Sequence, residues 1–336
     1  MSELRRDPFT LAWVVIAPER ADRPQRTMPA LSAAPAVTGD DPDCPFCPGR
    51  ELDTPDEVWR LPDEPAGAWA VRVVPNRYPV LTRGDQPAHH RTNGLRTSAD
   101  GIGSHEVVIE SPRHRWDLAD GDDSAVANVL RAYRARSLAL RGRRPGLVLP
   151  FRNHGAAAGT SLSHPHSQIV ATPIVPLRHR HLFHVARGYY DDHGRCLYVD
   201  VTAAELADGQ RVVACNDSVI ALVPYAAGAP YETWILPRHH QASFADAHDD
   251  ILDDTAAVLR RLLAALRGLL GDIPYNYALI SAPNGEEGTT YFAWHLRLVP
   301  RLASAAGFEL GTGMAVNTVP PEHAAAQLRR ALTAHP

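Results

Sequence analysis

The sequence predicts a duplicated fold of strands and helices, because two parts of the chain share the same elements in the same order. The segment HEVVIESPRH at residues 105–114 is similar to YETWILPRHH at residues 231–240. Each segment precedes a stretch with helical spacing of apolar residues, at about 122–140 and about 250–270. Each helix is then followed by further apolar runs that resemble strands. One structural unit is therefore expected twice.

The spacing of prolines supports the same duplication. Pro112 lies 61 residues before Pro173, and Pro237 lies 63 residues before Pro300. Equal order and nearly equal spacing indicate an internal repeat. Only the first copy contains His-Pro-His-Ser-Gln; the second has Phe-Ala-Trp-His-Leu. We therefore expect the first copy to carry the chemistry and the second to complete the core and part of the pocket.

The elements follow from apolar periodicity and from capping residues. The helix over 122–140 depends on Val126, Val129, Leu130, Tyr133 and Leu138, with Asp residues available as caps. The helix over 250–270 has on its apolar side Leu252, Leu259, Leu262, Leu263, Leu266 and Leu270. Strands are predicted at Trp13–Ala17, Val71–Val74, His105–Glu110, Gly146–Phe151, Tyr277–Ser281 and 291–301. A Pro/Ala-rich linker is expected from about Thr27 to Pro42.

Composition narrows the possible functions. The 336 residues suffice for two ordinary domains or one large one, and the formal net charge of −4 argues against a general nucleic-acid binder. The N-terminus lacks the apolar core of a signal peptide and no window is apolar enough to span a membrane, so a cytoplasmic enzyme is expected. All 34 basic residues are arginine. The absence of lysine excludes a usual P-loop and a Schiff base, so phosphate must be held by arginine, backbone N–H groups, histidine or metal.

The stretch NHGAAAGTSLSHPHSQIVATP, residues 153–173, is the strongest candidate for a site. It begins with a Gly/Ala-rich loop and continues as a predicted strand from His164 to Ala171. Alternation along a strand places His164, His166 and Gln168 on one face. Two imidazoles and an amide beside a loop rich in N–H groups indicate a phosphate-handling site.

Cys44 and Cys47 form the sequence CPFC, which in a reducing compartment indicates a metal knuckle or a redox pair. A structural zinc site needs four thiolate or imidazole ligands and leaves no position for water. His114 and His164 are well placed by motif to complete it, and His105 is the main rival. The alternative is that CPFC supplies two buried thiols and no metal.

His166 is the candidate nucleophile. A neutral imidazole can attack a phosphoanhydride phosphorus, which divides one transfer into two easier steps. One ring nitrogen must be free while the other donates a hydrogen bond that fixes the tautomer. If His164 is bound to zinc, its backbone can supply that acceptor. Gln168 can hydrogen-bond phosphoryl oxygens without acting as an acid or base, and loop N–H groups near Gly159 and Ser161 can stabilise developing charge.

These motifs resemble the galactose-1-phosphate uridylyltransferase family, the nucleotidyltransferase branch of the histidine-triad superfamily. The resemblance covers most of the chain and includes LRRDPFTLAWVVIAPERADRP, CPFC, VRVVPNRYPVL, HEVVIESPRH, NHGAAAGTSLSHPHSQ and GFELGTGMAVN. It implies an α+β fold of two tandem histidine-triad-like domains, residues 1–185 and 186–336, whose antiparallel sheets form half-barrels with packed helices. It also implies a homodimer that acts on nucleotide sugars and sugar 1-phosphates. No nucleic-acid or membrane partner is expected, on the grounds of charge and hydropathy given above.

The resemblance also assigns roles to individual residues. It implies that His166 is the covalent nucleophile and that zinc is bound by Cys44, Cys47, His114 and His164. Phosphate and nucleotide contacts fall on Asn153, Gly159, Ser161 and Gln168, with Asn76 near the base or ribose. Arg20 and Arg23 are expected to contact phosphate from a partner subunit. Related hydrolases carry a third histidine in place of Gln168, so Gln168 favours transfer over hydrolysis.

Departures from the better-known family members leave the substrates open. A second metal site is expected to be absent because only His295 remains of its His-x-His pair. The sugar-contacting Tyr-Glu pair is replaced by Thr312 and Gly313, and Arg77 replaces an acidic residue. FELGTG is more similar to ADP-glucose phosphorylase. The alternatives are nucleotidyl transfer between sugar phosphates, phosphorolysis with inorganic phosphate, hydrolysis of nucleotide conjugates, and non-catalytic nucleotide binding.

Overall fold

The computed structural model describes residues 1–22, 41, 43–63, 68–84, 88–141 and 146–334. These residues form six α-helices: α1 Asp123–Arg141, α2 Leu177–His193, α3 Leu197–Asp208, α4 Asp249–Leu270, α5 Gly307–Thr312 and α6 Pro321–Ala334. The strands are β1 Glu3–Arg6, β2 Trp13–Ile16, β3 Trp59–Asp63, β4 Ala68–Pro75, β5 Thr82–Arg83, β6 His90–Asn93, β7 Arg96–Ala99, β8 Ile102–Ile109, β9 Leu147–His154, β10 His166–Thr172, β11 Val212–Cys215, β12 Val219–Leu222, β13 Thr233–Pro237, β14 Tyr275–Ile280, β15 His295–Pro300 and β16 Ala315–Asn317. The predicted linker, Asp41 excepted, lies outside the described residues.

An eleven-stranded sheet dominates the fold. Ten of its strands lie in the order β11-β12-β13-β15-β14-β9-β10-β8-β4-β3, and β5 pairs beside β8. From the central β9–β14 pair outwards, one half runs β9-β10-β8-β4 and the other β14-β15-β13-β12. The two halves therefore have the same topology about their junction, which confirms the duplication. The predicted α+β class with antiparallel sheets is also confirmed.

The two halves join edge to edge through hydrogen-bonded strands. β9 and β14 are antiparallel, with Asn153 opposite Asn276 and Arg152 opposite Tyr277. This pairing makes one continuous sheet from both copies. The predicted domain boundary at 185 and 186 stays a prediction; it falls within α2.

The main core lies between the sheet and the helices α1, α4 and α6. The Asp122 carboxylate accepts the Ala125 N–H at 2.7 Å, which confirms an Asp cap at the start of α1. The predicted apolar positions of both helices are buried or packed against this core, with one exception. Leu138 is 42% exposed, because it lies off the apolar stripe that Leu130 and Tyr133 define.

Several elements were not predicted from the sequence. The helices α2 and α3 lie between the two halves in sequence. The strands β1 and β16 flank β2, which was predicted, in a small sheet that joins the two ends of the chain. In this sheet β16 runs parallel to β2. No helix among the described residues is long and apolar enough to cross a membrane.

Candidate active site and metal centre

The candidate catalytic strand begins later than predicted. β10 starts at His166, and His164 lies in a bend before it. Pro165 separates the two and lacks the N–H group that a central strand needs for its ladder. The expectation that His164 belongs to the strand is therefore wrong, whereas His166 and Gln168 alternate along it as predicted.

The hydrogen bond predicted for His166 is confirmed. Its Nδ1 lies 2.9 Å from the His164 carbonyl oxygen, which can only accept, so Nδ1 carries the proton. In a neutral imidazole the other nitrogen, Nε2, then has the lone pair. The His166 ring is 8% exposed and its centroid lies 5.7 Å from that of Phe46. His166 is thus held in the tautomer that a nucleophilic Nε2 requires.

Four buried side chains form a cluster next to this strand. The ligand atoms of Cys44, Cys47, His114 and His164 all lie within 4.8 Å of one another. The Cys47 Sγ lies 3.3 Å from His114 Nδ1 and 3.6 Å from His164 Nδ1, and the Cys44 Sγ lies 3.6 Å from His164 Nδ1. Bonds of about 2.0–2.3 Å to a tetrahedral ion place neighbouring ligands about 3.3–3.8 Å apart. The cluster has the dimensions of such a site.

The outer nitrogens of both histidines support the same interpretation. His164 Nε2 lies 2.8 Å from the Ser111 carbonyl oxygen, so it donates and leaves Nδ1 as the ligand atom. His114 Nε2 lies 3.1 Å from Ser163 Oγ. Partners of this kind orient metal-bound histidines. The rival ligand, His105, is not in the cluster and contacts other residues.

His105 joins two predicted substrate-binding residues. Its Nε2 lies 2.7 Å from Gln168 Oε1 and 3.1 Å from Asn76 Nδ2. The Asn76 N–H also donates to the His105 carbonyl oxygen at 2.8 Å. The structure therefore brings Asn76 and Gln168 together through His105, in agreement with the resemblance. The sequence suggested His105 only as an alternative zinc ligand.

The glycine-rich loop is shaped by two glycines and closed by an asparagine from the second half. Gly155 and Gly159 have φ values of 80° and 95°, which L side chains rarely adopt. Asn276 Nδ2 donates to Asn153 Oδ1 at 2.8 Å and to the Ala158 carbonyl oxygen at 2.9 Å. Because Asn153 Oδ1 is engaged, its N–H groups are the part of the amide available to a ligand.

Asn276 is a residue that sequence reasoning missed. It stands between Tyr275 and Tyr277, which are both buried, so alternation in β14 places it on the opposite face. A polar residue at that position in an otherwise apolar strand was the available signal. Asn276 is a residue of the second half that contacts the glycine-rich loop of the first, in agreement with the expectation that the second half completes part of the pocket.

A buried charge network lies beneath the site. The Arg152 guanidinium donates to Glu110 at 3.0 Å and to Asp117 at 3.0 Å, and Arg152 is 3% exposed. Burial opposes the Arg152 charge, but attraction to Glu110 and Asp117 outweighs it and raises the pKa of Arg152. Glu110 adjoins Ser111, whose carbonyl oxygen orients His164. The network therefore links the end of β9 to the metal-site loop.

The remaining predicted site residues that the structure describes are exposed. Gly159 and Ser161 are exposed in the loop. Arg20 is exposed in a short 3₁₀ turn and, within the described part of the chain, shows no hydrogen bond or ion pair to the other predicted site residues. Arg23 lies outside the described residues.

Thr312 Oγ1 donates to the Phe308 carbonyl oxygen of its own helix at 2.7 Å, and Gly313 ends α5 with φ of 73°.

Two family models match successive parts of the chain. The model described as galactose-1-phosphate uridyl transferase, N-terminal domain, matches residues 1–176, and the model of the corresponding C-terminal domain matches residues 183–335. Together they account for nearly the whole sequence.

Similar proteins include an ADP-glucose phosphorylase and several galactose-1-phosphate uridylyltransferases. An ADP-glucose phosphorylase of Arabidopsis thaliana is 35% identical over 333 residues, covering 97% of this chain and 92% of the relative. A galactose-1-phosphate uridylyltransferase of Thermotoga maritima is 28% identical and covers 98% of each chain. The crystal structure of an ADP-glucose phosphorylase from Arabidopsis thaliana with bound ADP-glucose has a TM-score of 0.83 and 32% identity, covering 98% of this chain and 99% of that chain.

Proposed function

Because the chain belongs to the galactose-1-phosphate uridyl transferase family and is thus a nucleotidyltransferase, we propose that it moves UMP or AMP between a nucleotide sugar and a hexose 1-phosphate through a covalent nucleotidyl-His166. The hydrogen bond from His166 Nδ1 to the His164 carbonyl oxygen, 2.9 Å long, is the observation that carries the proposal. It leaves the Nε2 lone pair for attack on phosphorus.

The proposed reaction has two displacements at the α-phosphorus. His166 Nε2 attacks this phosphorus, and the bond to the bridging oxygen breaks with release of the sugar 1-phosphate. The imidazole then carries a positive charge, which its Nδ1–H shares with the His164 carbonyl oxygen. A phosphate oxygen of the acceptor next attacks the same phosphorus, the P–N bond breaks, and neutral His166 is restored.

Neutral amides are proposed to bind the phosphoryl oxygens. The side-chain oxygens of Gln168 and Asn153 are engaged by His105 and Asn276, so both amides can offer N–H groups to an anion. The loop at Gly159 and Ser161 is proposed to add the backbone N–H of Ser161, because the Gly159 N–H already donates to the Ala156 carbonyl oxygen at 3.0 Å. Asn76 and Gln168 both contact His105 Nε2, and Asn76 is proposed to bind the nucleotide. None of these amides can deprotonate water, which favours transfer over hydrolysis.

We assign zinc to the cluster of Cys44, Cys47, His114 and His164, because two thiolates and two imidazoles at tetrahedral spacing suit that ion. Zinc supplies a closed structural anchor there. It would fix the CPFC turn and the backbone of His164, whose carbonyl oxygen orients His166. Reduced thiols at this cluster agree with the expected cytoplasmic location.

Inorganic phosphate is a second candidate acceptor. The 35% identity to an ADP-glucose phosphorylase over 97% of the chain favours it, and it also favours AMP as the transferred group. Phosphate would attack the same nucleotidyl-His166. Thr312 and Gly313 replace the Tyr-Glu pair implied by the resemblance, so the selection between glucose and galactose is expected to differ from that of dedicated galactose enzymes.

The quaternary arrangement and domain division are part of the same proposal. We expect a homodimer of two pseudo-twofold chains, with domains at 1–185 and 186–336. The exposed position of Arg20 supports a role of Arg20 and Arg23 in the site of a partner subunit. Size measurement by light scattering at working concentration tests this; a fully active monomer contradicts it.

Isotope exchange tests the covalent mechanism. ADP-glucose or UDP-glucose is incubated with labelled glucose 1-phosphate, and label should enter the nucleotide sugar without any other acceptor. Intact mass after donor alone should show an acid-labile nucleotidyl adduct. His166→Gly should lower the exchange rate by several orders of magnitude and remove the adduct. His240→Gly, at an exposed histidine, is the control and should leave both unchanged. Exchange by His166→Gly at the parent rate refutes the proposal, and comparison of phosphate with hexose 1-phosphates identifies the acceptor.

A further inference from the structure

The hydrogen-bond partners of His105 determine its tautomer. His105 is neither a proposed metal ligand nor the proposed nucleophile. His105 lies on β8 opposite Val170 of β10, so the neighbouring Gln168 is within diagonal reach on the same pair of strands. The His105 side chain is buried, with 7% exposure. Three polar atoms surround its ring, from Val80, Gln168 and Asn76.

These partners determine the His105 tautomer. The Val80 backbone N–H donates to Nδ1 at 3.1 Å, so Nδ1 is an acceptor and carries no proton. The neutral ring must then have its proton on Nε2, which donates to Gln168 Oε1 at 2.7 Å. Burial lowers the pKa of His105, which favours this neutral form.

The tautomer in turn determines which end of each amide is available. Since Gln168 Oε1 accepts from His105, the Gln168 NH₂ group is directed away from the imidazole. Asn76 Oδ1 accepts the Tyr78 N–H at 2.8 Å, so its Nδ2 is the atom beside His105. Because His105 Nε2 already carries a proton, it accepts nothing from Asn76. Both amides therefore keep N–H groups for an acceptor-rich ligand.

We propose that His105 is a positioning residue that holds the Gln168 amide with its N–H groups towards the phosphoryl group being transferred. The inference rests on the proposed function, in which Gln168 contacts that group. A reversed Gln168 amide would place its carbonyl oxygen against phosphoryl oxygens and repel them. A neutral histidine that donates from Nε2 stabilises the orientation in which Gln168 Oε1 accepts, and so disfavours the reversed one.

Four variants test the proposal through the rate of nucleotidyl adduct formation with ADP-glucose and UDP-glucose, measured by rapid quench and intact mass. They are His105→Leu, His105→Gln, Gln168→Ala and the double variant His105→Leu/Gln168→Ala. Leucine fills similar space without a donor, whereas the glutamine amide can donate from about the position of Nε2. Thermal unfolding and metal content verify that each variant is folded, and His105→Met replaces the leucine variant if that one does not fold.

Gln168→Ala should lower the rate about 10²–10³-fold, as the loss of one oriented donor does elsewhere. His105→Leu should lower it about 10–100-fold, and His105→Gln should stay much closer to the parent. In the Gln168→Ala background, His105→Leu should cost nothing further, because its effect passes through Gln168.

Losses that multiply in the double variant, or equal losses in the leucine and glutamine variants, overturn the positioning role while leaving the covalent mechanism intact. A parent rate for Gln168→Ala overturns the proposed role of Gln168 and the inference together. Absence of any adduct in the parent protein identifies failure of the proposed function itself.

Discussion

Replacing Asn276 tests whether the second half of the chain sets the active site of the first. Its Nδ2 donates to Asn153 Oδ1 at 2.8 Å and to the Ala158 carbonyl oxygen at 2.9 Å. Asn276→Ala removes both hydrogen bonds, each with a net value of about 0.5–1.5 kcal/mol. If the full loss of about 1–3 kcal/mol appears in the transition state, kcat/KM falls about 5–150-fold.

Asn276→Asp gives a sharper test, because it separates amide orientation from loop stability. The introduced carboxylate has no N–H and attracts the NH₂ group of Asn153, which would turn the Asn153 oxygen towards the substrate phosphate. A donor is then replaced by a repelling acceptor, and we expect a loss beyond that of the alanine variant, of about 10²–10³-fold in all. Thermal stability should fall by similar amounts in both variants.

The assay is the exchange of label between glucose 1-phosphate and ADP-glucose or UDP-glucose, measured as kcat/KM. Asn317→Ala is the matched control, because Asn317 Nδ2 also donates to two carbonyl oxygens, of Ala227 and Ala229, but outside the site. It should lower stability while folded protein keeps its transfer rate. Aspartate and alanine variants of equal activity, or an alanine variant at the parent rate, would refute the orientation argument.

Three further outcomes follow from buried groups. Cys44→Ser should lower bound zinc, measured by elemental analysis, and lower the melting temperature before it affects the chemistry of the remaining holoenzyme; unchanged metal content would contradict the site. Arg152→Gln should destabilise the protein by about 3–5 kcal/mol in chemical denaturation, since Glu110 would be left buried without its charged partner; a loss under about 1 kcal/mol would contradict this. Burial lowers the pKa of His295 from 6.5 to about 3. Below pH 6.5 the unfolded chain therefore binds a proton at this histidine that the folded protein does not, and the unfolding free energy decreases as pH falls from 6.5 towards 3. His295→Phe should therefore reduce the loss of unfolding free energy between pH 8 and pH 5 by about 2 kcal/mol, and an unchanged pH dependence would contradict it.

The sequence predicted those parts of the site that depend on local motifs. Cys44 and Cys47 are one turn apart, and His164 and His166 flank a proline, so short-range geometry limits where they lie. The two histidines expected to join the cysteines came from motif and resemblance, and the structure brings all four side chains together.

Long-range pairing and polar helices were harder to predict. No local feature of β14 specifies β9 as its neighbour, so the contact of Asn276 with Asn153 could not be read from either segment alone. The helix α2 has only three buried residues, Leu182, Val185 and Ala186, among many arginines and histidines. A stripe this narrow gives a weak apolar period, and the helix was missed for that reason.

The candidate site contains residues from both copies, and the two copies meet at the β9–β14 junction. His166 and its supporting carbonyl belong to the first copy, whereas the orientation of Asn153 depends on Asn276 of the second. Because β9 and β14 are adjacent strands of one sheet, a shift at the junction would move the amide proposed to bind phosphate relative to the proposed nucleophile. A reacting geometry tolerates misplacement of only about 1 Å before the rate falls about 10²-fold. The second copy lacks His-Pro-His-Ser-Gln, but its strand β14 supplies the hydrogen bond that orients the Asn153 amide, so we expect transfer to depend on it.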